Sequence, residues 1–212
     1  MKSNEVIFTK DQYDSVLADR HTRQVQDKLY QAHVAVCGLG GLGSNISLML
    51  ARAGVGHLHL IDFDEVELSN INRQAYFSYQ VGQMKTDAIK DLILQINPYL
   101  DIRTDCRKIS EENAMELLKE DSIICEAFDV PDQKAMLANI VLSHFPDRDY
   151  IAASGMAGFH DTNLIHTRQL SSHFYLCGDE SSGATKGHGL MAPRVTCCAS
   201  HEANQILQCI LN

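Results

Sequence analysis

Short apolar runs alternate with longer segments of helical period along most of the chain. His33–Cys37 (HVAVC), His57–Ile61 (HLHLI), Ser122–Phe128 (SIICEAF) and Tyr150–Ser154 (YIAAS) are too short for helices and read as buried strands. Asp101–Arg107 reads as a further strand, and Asn163–Thr167 and His173–Leu176 as two short ones. Between them, Ser44–Ala53 reads as a helix, with Ser44 or Asn45 near its start and Gly54 just past its end. Lys85–Asn97 places Ile89, Leu92, Ile93 and Ile96 at helical spacing, and Pro98 stops it. Gln133–Leu142 is a third helix and Val195–Leu211 closes the chain as a fourth. Residues 1–30 are polar with scattered apolar positions, which predicts a helical N-terminal arm. Gly178–Pro193 contains four glycines and reads as a mobile loop.

Strands that alternate with helices predict an α/β fold. The sheet is expected to be mostly parallel, doubly wound in the Rossmann-like manner, with helices on both faces and a small C-terminal strand and loop extension. No domain boundary stands out in residues 1–212, although 155–193 could form a small subdomain. In such sheets ligands bind at the C-terminal ends of the strands, near the switch in strand order.

Composition narrows the function classes. The 212 residues are 45% hydrophobic and carry 18 basic and 27 acidic side chains, a net charge of -9. With no long Lys/Arg run, nucleic acid is not an expected partner. No apolar run approaches the roughly 18 residues of a membrane span. The first residues, MKSNEVIFTKDQYD, lack the apolar core of a signal peptide. The seven cysteines, at 37, 106, 125, 177, 197, 198 and 209, have no framework spacing. Together these features predict a cytoplasmic protein with reduced thiols.

The chemistry concentrates after the first strand. Gly38-Leu39-Gly40-Gly41-Leu42-Gly43 has the spacing of a phosphate-binding turn. The first glycine permits the tight turn, the second lets backbone approach phosphate, and the third allows helix to pack on strand. The helix that follows offers free N–H groups to an anion. Asp62 ends the next strand, where an acid suits ribose hydroxyls. This pattern alone leaves NAD and ATP both open, with an NAD(P)-dependent oxidoreductase as the dehydrogenase alternative. The next segment, DFDEVELSNINRQ (62–74), adds Asp64, Glu65 and Glu67, then Asn70, Asn72, Arg73 and Gln74, and Lys85 follows. Cations paired in this way suit a triphosphate, whose oxygens they neutralise. Asp129, at the end of the Ser122–Phe128 strand, could hold Mg²⁺. Each residue also has a structural alternative: a solvated loop charge for the acids, a surface ion pair for Arg73, a first-turn residue for Lys85, and a cap before Pro131 for Asp129.

These segments together resemble the ThiF/MoeB family, which includes the ubiquitin-activating enzymes. The matching stretches are GLGGLGSN (38–45), ARAGVGHLHLIDFDEVELSNINRQ (51–74), GQMKTDA (82–88), INP (96–98) and FDVPD (128–132). The resemblance implies that the C-terminal Gly-Gly carboxylate of a ubiquitin-like sulfur-carrier protein attacks the α-phosphate of ATP, releasing pyrophosphate. It implies that Gly40 and Gly41 line the nucleotide and Asp62 holds the ribose. It assigns Asn70, Arg73 and Lys85 to phosphates and Asp129 to Mg²⁺. It further implies a homodimer in which Arg23, in the Arg20-His21-Thr22-Arg23-Gln24 motif, reaches the partner's site, and a separate sulfurtransferase as sulfur donor. Relatives often hold a structural zinc with CxxC pairs; this chain has no CxxC, so no structural zinc is expected. The short length, EAFD (126–129) and CGD (177–179) resemble a short ThiF-like subfamily of thiamine biosynthesis; a molybdopterin-pathway carrier is the alternative substrate. Some relatives use a cysteine covalently, and Cys177, before the glycine-rich loop, is the candidate here; packing is the competing role for it and for Cys197 and Cys198.

Overall fold

A computed structural model describes residues 7–212; the first six residues of the expected N-terminal arm lie outside the described residues. The arm forms two helices, α1 (Lys10–His21) and α2 (Arg23–Gln31). Strand β1 (His33–Cys37) follows, then α3 (Gly41–Ala53), β2 (His57–Ile61), α4 (Lys85–Ile96) and β3 (Asp101–Asp105). A single turn, α5 (Ala114–Leu117), precedes β4 (Ile123–Glu126), α6 (Pro131–His144) and β5 (Asp149–Ala153). The chain then forms β6 (His166–Ser171), β7 (Phe174–Gly178) and α7 (Ala192–Leu211).

The seven strands form one sheet in the order β3-β2-β1-β4-β5-β7-β6. All neighbours are parallel except β6, which runs antiparallel to β7 at one edge. The order reverses between β1 and β4, so the crevice at their C-terminal ends is the place for a ligand. The strands read as continuous apolar runs because both faces of the sheet are covered. Val34 and Val36 pack with Ile46 and Leu50 of α3, Ile89 and Ile93 of α4, and Ile206 of α7. Ala35 and Cys37, which alternate with them along the strand, face Leu117, Leu137 and Val141 of α5 and α6. The alternation of strand side chains is thus spent on two apolar layers rather than on one layer and solvent.

Three expectations shift. Helix α3 starts at Gly41, with Gly40 as its cap, because Ser44 and Asn45 do not cap. Their side chains turn back to the carbonyl oxygens of Gly40 and Gly41, both at 2.6 Å. Helices α6 and α7 begin at Pro131 and Ala192, earlier than expected, because proline fits the first turn, where its missing N–H costs nothing. The strand expected at 163–167 is replaced by a helical turn at Thr162–Leu164 and by β6, shifted to His166–Ser171. Residues 155–193 contribute β6 and β7 to the main sheet. Among the described residues no helix is long and apolar enough to cross a membrane.

Charge is also buried in this core. Glu202 of α7 is fully buried, and its Oε2 meets no hydrogen-bond partner among the described residues. Burial first, and then the nearby Glu126 carboxylate, push the Glu202 carboxyl well above 4.5, against the pull of Lys134. The folded state therefore holds this proton more tightly than the unfolded chain does. Its stabilising contribution is complete below about pH 4.5 and is lost as pH rises toward the elevated folded value. Urea denaturation should find Glu202→Gln at least as stable as the wild type at neutral pH, with a margin that widens as pH increases. A constant margin from pH 5 to 9 would contradict a carboxyl raised by burial. A second variant tests the packing at the switch point. A Cβ at Gly43 would overlap the Gly38 carbonyl oxygen, so Gly43→Ala should cost about 1–3 kcal/mol or more in the same measurement.

Candidate functional site

The turn after β1 is shaped by two close approaches. Gly38 has φ +96°, and a Cβ there would stand 2.9 Å from the Ala127 carbonyl oxygen at the end of β4. Only glycine fits that conformation and that contact. Gly43 brings the first turn of α3 against Gly38, so the N-terminus of α3 projects into the crevice between β1 and β4.

Asp62, just past β2, ties this turn to the neighbouring strand. Its Oδ2 accepts the Leu39 N–H at 2.6 Å and its Oδ1 accepts the Asp64 N–H at 2.8 Å. Tyr76 closes the other side by donating its hydroxyl proton to the Leu39 carbonyl oxygen at 2.8 Å. Burial, with Asp62 and Asp64 nearby, raises the Tyr76 phenol well above its ordinary range, so it stays a donor. Lys85 is buried at the start of α4. Its ammonium donates to Asp64 Oδ2 at 2.8 Å and lies 3.9 Å from Asp62 Oδ2. A cation at a helix start is unfavourable by itself, and here the two carboxylates offset it.

Arg73 stands at the mouth. A Cβ on Gly41 would lie 3.6 Å from its Cγ, which places the side chain against the first turn of α3. Its Nη1 donates to the Ser69 carbonyl oxygen and to Asn72 Oδ1, both at 3.0 Å. Among the described residues no carboxylate pairs with it. The segment is held from below: Ala75 N–H donates to Ser44 Oγ at 3.1 Å, and Asn45 Nδ2 donates to the Arg73 carbonyl oxygen at 3.3 Å. Asn70 is engaged locally, its Oδ1 accepting the Glu67 N–H at 3.0 Å. In this state it braces the 67–70 turn and does not project into the crevice as a free donor. Asp129, beyond β4, is exposed and has no hydrogen bond or ion pair among the described residues.

Gly38, Gly40, Gly41 and Gly43 form the turn, and Asp62, Asp64, Arg73 and Lys85 are gathered around it by these contacts, with Asp129 exposed two residues past Ala127. Besides Asn70, two expected residues lie elsewhere. Arg23 pairs with Asp27 at 3.0 Å on α2, whose Gln26 donates to the Gly54 carbonyl oxygen at 3.2 Å. Gly54 ends the 13-residue helix α3, about 20 Å from the glycine turn that begins it. Arg23 cannot reach the crevice of its own chain. Cys177 is fully buried on β7, and burial first, then Glu202, pushes its thiol up to about 12. It lacks the exposure and low pKa of a nucleophile, which corrects its candidacy. Cys198 is buried as well, and its thiol is raised by burial and by Glu202.

The crevice also contains groups that sequence reasoning missed. Val195, in the first turn of α7, flanks Gly41, since a Cβ there would stand 2.9 Å from its Cγ1. Arg194 beside it is buried and donates to Asp179 Oδ2 at 2.6 Å and to the Ala157 carbonyl oxygen at 3.0 Å. Burial would raise the Asp179 carboxyl, but hydrogen bonds from Ser182, Ser181 and Arg194 outweigh it and hold the group at about 2. This pair fastens the loops after β5 and β7 to α7. Asn72 Nδ2 adds a 3.1 Å bond to the Leu190 carbonyl oxygen, which brings the second loop beside Arg73. The only sequence signal for the pair was a charged residue at each boundary of the glycine-rich loop.

The family model described as "ThiF family" matches residues 13–212. The adenylyltransferase and sulfurtransferase MOCS3 of Culex quinquefasciatus is 40% identical over 107 residues, 50% of this chain and 24% of that protein. The molybdopterin-synthase adenylyltransferase of Haemophilus influenzae is 39% identical over 105 residues, 49% of this chain and 43% of that protein. The chain thus spans less than half the length of these curated relatives. Among solved structures, E. coli tRNA N6-threonylcarbamoyladenosine dehydratase, TcdA, in complex with ATP superposes with a TM-score of 0.85 at 22% identity, covering 97% of each chain. E. coli MccB gives a TM-score of 0.68 at 25% identity, over 88% of this chain and 58% of that one. The TcdA likeness supports the α/β fold, and the family match extends over nearly all of the sequence. The chain belongs to the ThiF family.

Proposed function

We propose that this chain is a Mg·ATP-dependent adenylyltransferase that activates the C-terminal Gly-Gly carboxylate of a ubiquitin-like sulfur-carrier protein. The observation that carries this reading is Arg73, a cation without a carboxylate partner among the described residues, held against the N-terminus of α3. A guanidinium and a helix N-terminus side by side repel each other electrostatically unless an anion lies between them. A triphosphate supplies that anion. Relatives named as adenylyltransferases, and a TcdA structure containing ATP, support the same ligand.

In this mechanism the carrier carboxylate, ionised near pH 7, attacks the α-phosphorus in line. A new P–O bond forms, the bond to the β-phosphate oxygen breaks, and pyrophosphate leaves with its electron pair. No general base is needed. The N–H groups at the start of α3 and the Arg73 guanidinium meet phosphate oxygens, and Lys85 exchanges part of its bond to Asp64 for the nucleotide. Asp62 keeps lone pairs free for the ribose while it secures Leu39. Asp129 fits a Mg²⁺ ligand, being an exposed carboxylate with no competing partner among the described residues. Bound Mg²⁺ would neutralise phosphate charge and make pyrophosphate a better leaving group. A nicotinamide-dependent oxidoreductase would give no triphosphate for Arg73, whose described partners are all neutral oxygens.

The site works as one unit of the 1–212 chain, and the position of Arg23 favours a homodimer. Arg23 lies too far from its own crevice, so a phosphate role for it requires the partner's site. A thiamine-pathway carrier agrees with the EAFD and CGD segments, and a separate sulfurtransferase would then donate sulfur. A molybdopterin-pathway carrier is the second reading, favoured by the name of the H. influenzae relative.

Incubation with Mg·ATP and a carrier ending in Gly-Gly should give a carrier–AMP adduct by mass spectrometry. Arg73→Ala should lower its rate of formation by about 10²–10³-fold with the fold intact by circular dichroism; an unchanged rate would remove Arg73 from the phosphate site. Arg23→Ala and Asp129→Ala subunits should each be inactive alone, and mixed dimers should regain part of the activity. Confirmed mixed dimers without activity would contradict the shared site.

A further inference from the structure

Glu126 is the last residue of β4 and is 1% exposed. An acid at such depth needs partners, and this one has three bonds that converge on the switch point. Its Oε1 accepts the Phe128 N–H at 2.6 Å. Lys134, in the first turn of α6, donates to Oε1 at 2.9 Å and to Oε2 at 3.1 Å. The same ammonium donates to the Ala153 carbonyl oxygen at the end of β5, at 3.0 Å. One cation therefore joins β4, β5 and α6.

The segment so held is the 127–130 turn, which carries Asp129. It is also the wall of the glycine turn, because Ala127 N–H donates to the Cys37 carbonyl oxygen at 2.8 Å. The Ala127 carbonyl oxygen and the Phe128 ring crowd Gly38 from the same side. A buried acid and lysine cost desolvation that an apolar pair would avoid, so stability alone does not account for them here. Glu202 places a second buried carboxyl near the same lysine. What the pair does supply is direction. A carboxylate pinned from one side by Lys134 accepts the Phe128 N–H along a fixed line, and this fixes where the next residue, Asp129, projects.

We propose that Glu126 and Lys134 are positioning residues that aim Asp129 at the metal–triphosphate while holding the wall of the glycine turn. The proposal rests on Asp129 as the Mg²⁺ ligand. Neither residue touches the nucleotide, and both act through the Phe128 amide and the turn it anchors.

The test uses the full-length protein and two readouts. Lys134→Met strands a buried carboxylate and can fail to fold for that reason, so the principal variant is Glu126→Met with Lys134→Met, which removes both charges together. Hydrogen exchange of the Phe128 amide, measured without nucleotide, should quicken at least tenfold in the double variant, while the amides of Ile89 and Ile93 in α4 keep their protection. Calorimetric titration with a non-hydrolysable ATP analogue should show affinity without Mg²⁺ within threefold of the wild type. With Mg²⁺, affinity should fall at least tenfold. Lys134→Arg should restore wild-type Mg²⁺ dependence within threefold, since a guanidinium can make the same bonds. A folded double variant with wild-type amide protection and wild-type Mg²⁺ dependence would overturn the proposal, as would Lys134→Arg as defective as the double variant. Asp129→Ala separates this from the site reading. If Asp129→Ala keeps the wild-type Mg²⁺ dependence, the metal role of Asp129 fails. If Asp129→Ala loses it and the double variant does not, only the positioning role fails.

Discussion

The close approach of α3 to the end of β1 governs this structure. With no side chain on Gly43, the first turn of α3 rests on the Gly38 carbonyl, and Gly38 itself bends through a left-handed conformation against Ala127. Those contacts place the free N–H groups of α3 in the crevice where strand order reverses. The groups around the crevice are arranged about that helix end. Asp62 and Tyr76 hold Leu39 from two sides, Ser44 and Asn45 hold the 73–75 backbone, and Val195 of α7 closes over Gly41. A larger residue at 43 would shift the helix, and each of these distances would move with it.

Electrostatic asymmetry gives the crevice its character. Lys85 is already matched by Asp64 and Asp62, whereas Arg73 meets only neutral oxygens. Asp129, past β4, is an exposed acid. A cation, a helix N-terminus and a carboxylate around one crevice are what a metal-bound polyphosphate requires. Two other acids are handled differently: Asp179 is held low by serine donors and Arg194, whereas burial pushes the Glu202 carboxyl up.

Much of this was legible in the sequence for definite reasons. The central strands are continuous apolar runs because both faces are covered, and the glycine turn has a spacing that few other structures need. Asp62 and Lys85 stood out as candidates because they fall at a strand end and a helix start, and Arg73 because it lies in the polar 62–74 segment that follows Asp62. What was not legible depends on distant pairing. Strand β6 is an exposed edge whose sequence, His-Thr-Arg-Gln-Leu-Ser, has no apolar alternation. Glu126 with Lys134 and Asp179 with Arg194 look like ordinary polar residues until the fold buries them. Cys177 stood as a covalent candidate beside a glycine-rich loop, with packing as its competing role, and β7 places it in the core.

The central claim is that the crevice activates a carboxylate with ATP, and isotope exchange between pyrophosphate and ATP tests it most directly. With Mg²⁺ and a carrier ending in Gly-Gly, labelled pyrophosphate should enter ATP, and a carrier lacking its terminal glycine should abolish the exchange. Folded protein that binds ATP yet shows no exchange with either a thiamine-pathway or a molybdopterin-pathway carrier would contradict the account.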